Sequence, residues 1–209
     1  MTAVTSTGLF VAFEGGEGAG KSTQVTSLAK ALADRGLEAV TTFEPGDTAV
    51  GRRLREILLG HDTGALDPRT EALLYAADRA EHVAQVIRPA LDRGAVCITD
   101  RYIDSSLAYQ GAGRTLDASE VEGLSRWATG GLQPHLTVLL DIDPEIGLGR
   151  SSDPADRLEA EPLAFHRRVR DEFLQLSRRE PSRYLVLDAA APTEEISVRV
   201  LAAVDELLP

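Results

Sequence analysis

The run Gly15-Gly16-Glu17-Gly18-Ala19-Gly20-Lys21-Ser22-Thr23 meets three separate demands of a nucleoside triphosphate. Its glycines let backbone N–H groups close around phosphate oxygens, Lys21 is spaced to reach the outer phosphates, and the Ser22 hydroxyl is a hard oxygen ligand for Mg²⁺. Only two of the 22 basic residues are lysines, Lys21 and Lys30. A lysine at position 21 of so arginine-rich a chain marks a place where a compact ammonium fits between phosphate oxygens and a planar guanidinium does not. A second group of this kind is Asp100-Arg101-Tyr102, which follows the apolar run 95–99. An acid at the end of a buried parallel strand is well placed to hold a metal.

These residues need elements to position them. Leu9-Phe10-Val11-Ala12-Phe13 predicts a strand, and Val25, Leu28 and Leu32 share one face of the helix that opens at the glycine run, so a helix N-terminus points at the phosphates. Gly36 stops that helix, 38–43 reads as a second strand ending at Glu44-Pro45-Gly46-Asp47-Thr48, and a basic helix carrying Arg52, Arg53 and Arg55 follows. Leu73, Ala77, Ala80, Ala84, Ile87 and Leu91 recur at spacings of three and four, predicting a long helix that buries this stripe, with Pro68 at its start and Pro89 bending its end. Further along, 95–99 is a third strand, 117–128 a helix, 136–142 a fourth strand and 145–149 the start of another helix. Phe165, Val169, Phe173 and Leu176 mark a helix, 184–187 a fifth strand, and Ile196, Val200, Ala203 and Leu207 a closing helix. Alternating strands and helices predict an α/β fold, a five-stranded parallel sheet with helices on both faces and ligands beyond the carboxyl ends of the strands. The stretches singled out stand at such ends, which argues that they act together. The segment 150–161, rich in Ser, Asp, Pro and Arg, breaks the pattern and is expected to be a mobile lid loop.

At 209 residues the chain suits a single domain, 1–209. A net charge of −11 argues against a nucleic-acid-binding surface, which needs a basic face. Cys97 is the one cysteine and sits among apolar residues, so a buried, inert thiol and a cytoplasmic protein are expected. Residues 1–7 carry no basic residue and are expected to form a loose tail rather than a signal peptide, and no stretch approaches membrane-spanning length. The four histidines lack ligand spacing, so no protein-ligated transition metal is expected.

The chain resembles the thymidylate kinase family over nearly its whole length. The likeness rests on 13–22, on Glu44-Pro45-Gly46, on Tyr75-Ala76-Ala77-Asp78-Arg79-Ala80-Glu81-His82 and on 100–111, the last two stretches being far more specific than the phosphate loop. It implies a P-loop nucleoside monophosphate kinase fold, transfer of the γ-phosphoryl group of ATP to dTMP with Mg²⁺ held by Ser22 and, through water, by Asp100, and a homodimer formed through the helix from Leu73 to Leu91. It further implies that Arg101 and Arg55 clamp the acceptor 5′-phosphate, that Arg79 donates to thymine O4, that Tyr75 stacks on thymine, and that Tyr109 lies beneath the sugar. Glu17, Glu44, Pro45, Ser105, Ser106 and Gln110 match positions near the acceptor, and Arg150 resembles the arginine lying against adenine.

The chain departs from the family at two places. Asp47 stands where a second glycine is usual after Glu-Pro-Gly. The lid keeps only Arg150 and Arg157 of a usually more basic run, which leaves Arg157 as the candidate for charge on the transferring phosphoryl group. A kinase for another nucleoside monophosphate, a nucleotide-dependent switch and a homologue with an impaired lid stay open as alternatives.

Overall fold

The computed structural model describes residues 8–150 and 156–208, so the expected N-terminal tail and lid residues 151–155 lie outside the described residues. Five strands, β1 (Leu9–Glu14), β2 (Ala39–Phe43), β3 (Val96–Asp100), β4 (Leu136–Asp141) and β5 (Tyr184–Asp188), form one parallel sheet in the order β2-β3-β1-β4-β5. The central strand shows why the run 9–13 is apolar throughout. Leu9, Val11 and Phe13 join a core with Val25, Leu28 and Leu32 of α1 (Lys21–Ala33) and Ile196, Val200 and Val204 of α9 (Thr193–Asp205), while Phe10 and Ala12 face Val83, Ile87 and Leu91 on the opposite side. Each of the larger side chains contributes on the order of 2 kcal/mol through burial, and a strand covered on both faces has no place for alternating polar residues. A third cluster, Ala108, Tyr109, Leu139, Leu158, Phe165, Val169 and Phe173, packs α8 (Leu163–Arg179) beside the site.

Between β2 and β3 run α2 (Ala49–Leu59), with Thr48 accepting from Gly51 N–H as its cap, and α3 (Pro68–His82), where Asp67 caps and Pro68 opens the first turn. The latter continues through a π-helical segment (Val83–Ile87) into α4 (Arg88–Asp92). Of the stripe expected to be buried, Ile87 and Leu91 are, but the earlier part is not. Leu73, Ala77 and Ala84 are exposed, Leu73 at 57%, whereas Glu71, Ala72, Ala76, Asp78, Arg79, His82, Val83 and Ile87 point inward. Buried charged residues that satisfy one another occupy the inner face here, and a count of apolar positions alone selects the neighbouring stripe.

After β3 the chain forms α5 (Ile103–Ser106) and a π-helical segment (Leu107–Gly113), elements with no periodic signal in the sequence. The remaining helices are α6 (Ala118–Thr129) and α7 (Pro144–Arg150). The Cys97 thiol is fully buried, and burial pushes it up to about 12. No helix of the described residues is long and apolar enough to cross a membrane.

Candidate active site

Register brings the chemistry together. Phe13 of β1 and Phe43 of β2 both pair with Asp100 of β3, so the three strands end level, and the residues that follow each one meet above the same edge of the sheet. From β1 comes the phosphate loop. Gly15 and Gly18 have positive φ, and a Cβ on either would press on the Leu140 or Gly147 carbonyl oxygen at 2.4 and 2.0 Å. Only glycine lets this backbone lie so close to β4 and α7. Lys21 Nζ donates to the Gly15 and Gly16 carbonyls at 3.1 and 2.9 Å; burial, with Arg101 nearby, lowers its affinity for its proton. Ser22 Oγ donates to Asp100 Oδ2 at 2.7 Å. That pair offers two hard oxygens beside the phosphate loop, donors suited to Mg²⁺, which takes most of its octahedral shell from water and substrate phosphates. No group of three or more His, Cys, Asp or Glu side chains is gathered for a metal among the described residues.

Two cavities adjoin this edge. The larger, about 920 Å³, is lined by 17–23 together with Arg150, Asp100 and the end of β2. The smaller, about 150 Å³, is lined by Glu17, Glu44, Pro45, Arg55, Tyr75, Arg101, Ser105, Ser106, Tyr109 and Gln110. Glu17, Glu44, Arg55, Arg101 and Glu159 line both, so the cavities communicate. Arg101 stands at this junction with φ +72, a left-handed backbone conformation that costs a non-glycine residue on the order of 1 kcal/mol and turns its side chain back over the phosphate loop. Its guanidinium donates to Gly15 O, to Ser105 Oγ and to both Glu17 oxygens, and lies over the Tyr109 ring 5.1 Å from the centroid. Burial alone would raise the Glu17 carboxyl, but Arg101, Lys21 and the Tyr109 hydroxyl hold it down at about 2. Arg55 donates to Pro45 O at 2.7 Å and lies over Phe43. Ser105 Oγ also donates to buried Glu14, whose carboxyl burial and Asp104 push well up.

Arg79 is brought to the smaller cavity's wall but not to its lining. It is 1% exposed and donates to Glu44 Oε2, Ser106 Oγ and Tyr102 O at 2.8, 3.0 and 2.9 Å. His82 Nδ1 meets Glu44 Oε1, and Thr42 links His82 to Asp47 by donating to the Asp47 carboxylate. Asp47, where glycine is usual, thus closes a polar chain at the base of the turn. Arg150 donates to Gly18 O and Ala189 O, beside the phosphate loop.

Arg157 goes elsewhere. Its Nη2 donates to Glu71 Oε2 at 2.5 Å and its Nε to Leu58 O at 2.8 Å, and it lines neither cavity. Its neighbours Asp156, Leu158 and Glu159, together with Leu59, do line the smaller cavity. Those four, Glu71 and Glu14 went unassigned from sequence. Glu14 carries the same signal as Asp100, an acid ending an apolar strand; the others carry none.

A parallel sheet with a phosphate loop after its central strand, a hydroxyl and carboxylate pair for a metal and a second cavity meeting the first at an arginine define a P-loop phosphotransferase of the nucleoside monophosphate kinase class. Comparison with known proteins makes the assignment narrower. The sequence model of the family described as Thymidylate kinase matches residues 13–200. Curated thymidylate kinases from Clavibacter michiganensis subsp. michiganensis (strain NCPPB 382) and Leifsonia xyli subsp. xyli (strain CTCB07) are each 54% identical to the chain, over 205 residues with 97% of both chains covered and over 201 residues with 95% covered. The crystal structure of thymidylate kinase from Ehrlichia chaffeensis matches with a TM-score of 0.78 at 29% identity, covering 94% of this chain and 98% of that one. The chain belongs to the thymidylate kinase family and is an enzyme.

Proposed function

We propose that the larger cavity holds ATP and the smaller one dTMP, and that the γ-phosphoryl group passes between them at Arg101 to give dTDP and ADP. The observation that carries this reading is the shared wall: the phosphate loop opens on one cavity, the tyrosines Tyr75 and Tyr109 on the other, and Arg101 and Arg55 on both. The acceptor is a phosphate oxygen, already ionised, so no strong general base is needed. Catalysis is alignment and charge neutralisation.

In this reading the backbone N–H groups of 15–20 cradle the donor phosphates, with Ser22 and Thr23 at the helix start, and Lys21 leaves the Gly15 and Gly16 carbonyls to meet the outer phosphate oxygens. Ser22 and Asp100 are the residues that would hold Mg²⁺. The metal, when bound, supplies charge neutralisation on the phosphate oxygens. Arg101 and Arg55 fork onto the 5′-phosphate, Tyr75 stacks on thymine, and Tyr109 underlies the sugar. Glu44, Ser106 and Gln110 shape the pocket, and Arg79, which stands behind that lining bonded to Glu44 and Ser106, is the donor proposed for thymine O4. Arg150 flanks adenine. Leu73 and Ala77 on the outer face of α3, Ala84 in the π-helical segment after it, and Trp127 at 81% exposure on the adjacent α6 support a homodimer through this layer; the compartment proposed is the cytoplasm.

The experiment is transfer from ATP labelled in the γ-phosphate, with the label followed. The reading requires label in dTDP; label released only as inorganic phosphate would leave a hydrolase or switch.

A further inference from the structure

Glu71 lies at the first turn of α3, has no solvent exposure, and collects three donors from two other parts of the chain. Gln110 Nε2 reaches Oε1 at 3.0 Å, Arg114 spans both oxygens at 3.2 Å, and Arg157 Nη2 reaches Oε2 at 2.5 Å. Arg157 is tied twice more, by Nε to Leu58 O and by its own N–H to Leu59 O at 3.3 Å, so the last turn of α2 also belongs to the knot. The segment that returns from the lid is thereby fastened at Arg157, and Glu161 ties it to the same knot again through Arg114. The residues on either side of Arg157 behave oppositely. Asp156, Leu158 and Glu159 face the smaller cavity, and Leu158 is buried against the cluster that includes Tyr109 and Phe165.

We propose that the Glu71–Arg157 ion pair is the anchor of the lid's returning segment, a positioning device that roofs the acceptor cavity, and that Arg157 does not carry charge to the transferring phosphoryl group. Turning Arg157 toward the phosphate loop would break its two side-chain hydrogen bonds, leave a fully buried carboxylate short of one cation and loosen the hold on the segment that carries Leu158. Removing one partner of a buried ion pair is costly in a way that an exposed pair is not. The consequence falls on acceptor binding, because Asp156 and Leu158 line the smaller cavity alone, while Glu159 lines both and the donor cavity keeps its phosphate loop.

This inference rests on the proposed assignment of the smaller cavity to dTMP. It is tested with Arg157→Ala, Arg157→Lys and Glu71→Gln in steady-state kinetics, with dTMP binding measured by calorimetry without ATP. The expected result for Arg157→Ala and Glu71→Gln is a rise of roughly tenfold in KM and Kd for dTMP, with kcat and KM for ATP within about twofold of wild type. Arg157→Lys keeps the charge and recovers part of the loss. A kcat collapse at unchanged KM for dTMP in Arg157→Ala would put Arg157 on the transferring group and overturn the proposal. A lowered melting temperature with dTMP binding unchanged would overturn it also, leaving a pair that only stabilises the fold. Should Glu71→Gln fail to fold, the two Arg157 variants decide alone. Failure of the parent assignment is recognised separately, as a wild-type protein that does not bind dTMP.

Discussion

Arg101 Nη2 lies 2.8 and 2.9 Å from the two carboxylate oxygens of Glu17, at the point where the cavities meet. A carboxylate held at about 2 stays ionised at any physiological pH, so it keeps the guanidinium charged, oriented and aimed across the junction. The forked geometry is what serves a phosphate. Arg101→Lys keeps the charge but not the fork, and kcat/KM for dTMP is expected to fall about 100-fold while the fold, followed by circular dichroism, is retained.

Asp100 accepts from Ser22 within the donor set proposed for the metal. Asp100→Asn preserves size and an acceptor for Ser22 Oγ and removes the charge. The Mg²⁺ concentration giving half-maximal rate is expected to rise roughly tenfold, and a titration of rate against Mg²⁺ at saturating nucleotides checks it. An unchanged midpoint would assign Asp100 a purely structural role.

Much of this site was legible before the fold was known, and the exceptions have physical causes. The phosphate loop and the acid ending β3 announce themselves because their residue types sit at strand ends, where few other demands compete. The buried face of α3 was misread because Asp78, Arg79 and His82 fill it with charges that pair with Glu44 and the turn after β2, and nothing in the spacing reveals partners 32 to 38 residues away. The Arg157–Glu71 pair was not legible for the same reason: the partner lies 86 residues earlier, and a charge in a loop reads as free until its partner is seen. The π-helical run Leu107–Gly113 puts Tyr109 and Gln110 on the cavity without any period the eye can count.

Asp78 offers a test of the buried network through pH. Burial, with Glu44 beside it, pushes its carboxyl up to about 6, and its Oδ2 has no hydrogen-bond partner, while Oδ1 accepts from Gly46 N–H. A value raised on folding means that the group's contribution is fully present below its ordinary value of 3.8 and is lost as pH rises through about 6. Asp78→Asn removes that loss while keeping an acceptor for Gly46. Relative to wild type, the variant is expected to gain on the order of 1 kcal/mol between pH 5 and pH 8, read from urea unfolding at both. A difference independent of pH would mean that Asp78 titrates alike in both states.

The most direct measurement is ADP release by the wild-type protein with ATP and each of dTMP, dUMP, dCMP, dGMP and UMP in turn. A pocket that reads thymine O4 with a donor leaves two donors facing each other when cytosine is bound, and such a mismatch discriminates by several orders of magnitude at best and by about 100-fold at least. The result predicted is release that depends on acceptor, with kcat/KM for dTMP exceeding that for dCMP by at least about 100-fold and UMP disfavoured by its 2′-hydroxyl over Tyr109. Release at one rate whatever the acceptor, or dCMP accepted as readily as dTMP, would contradict the account.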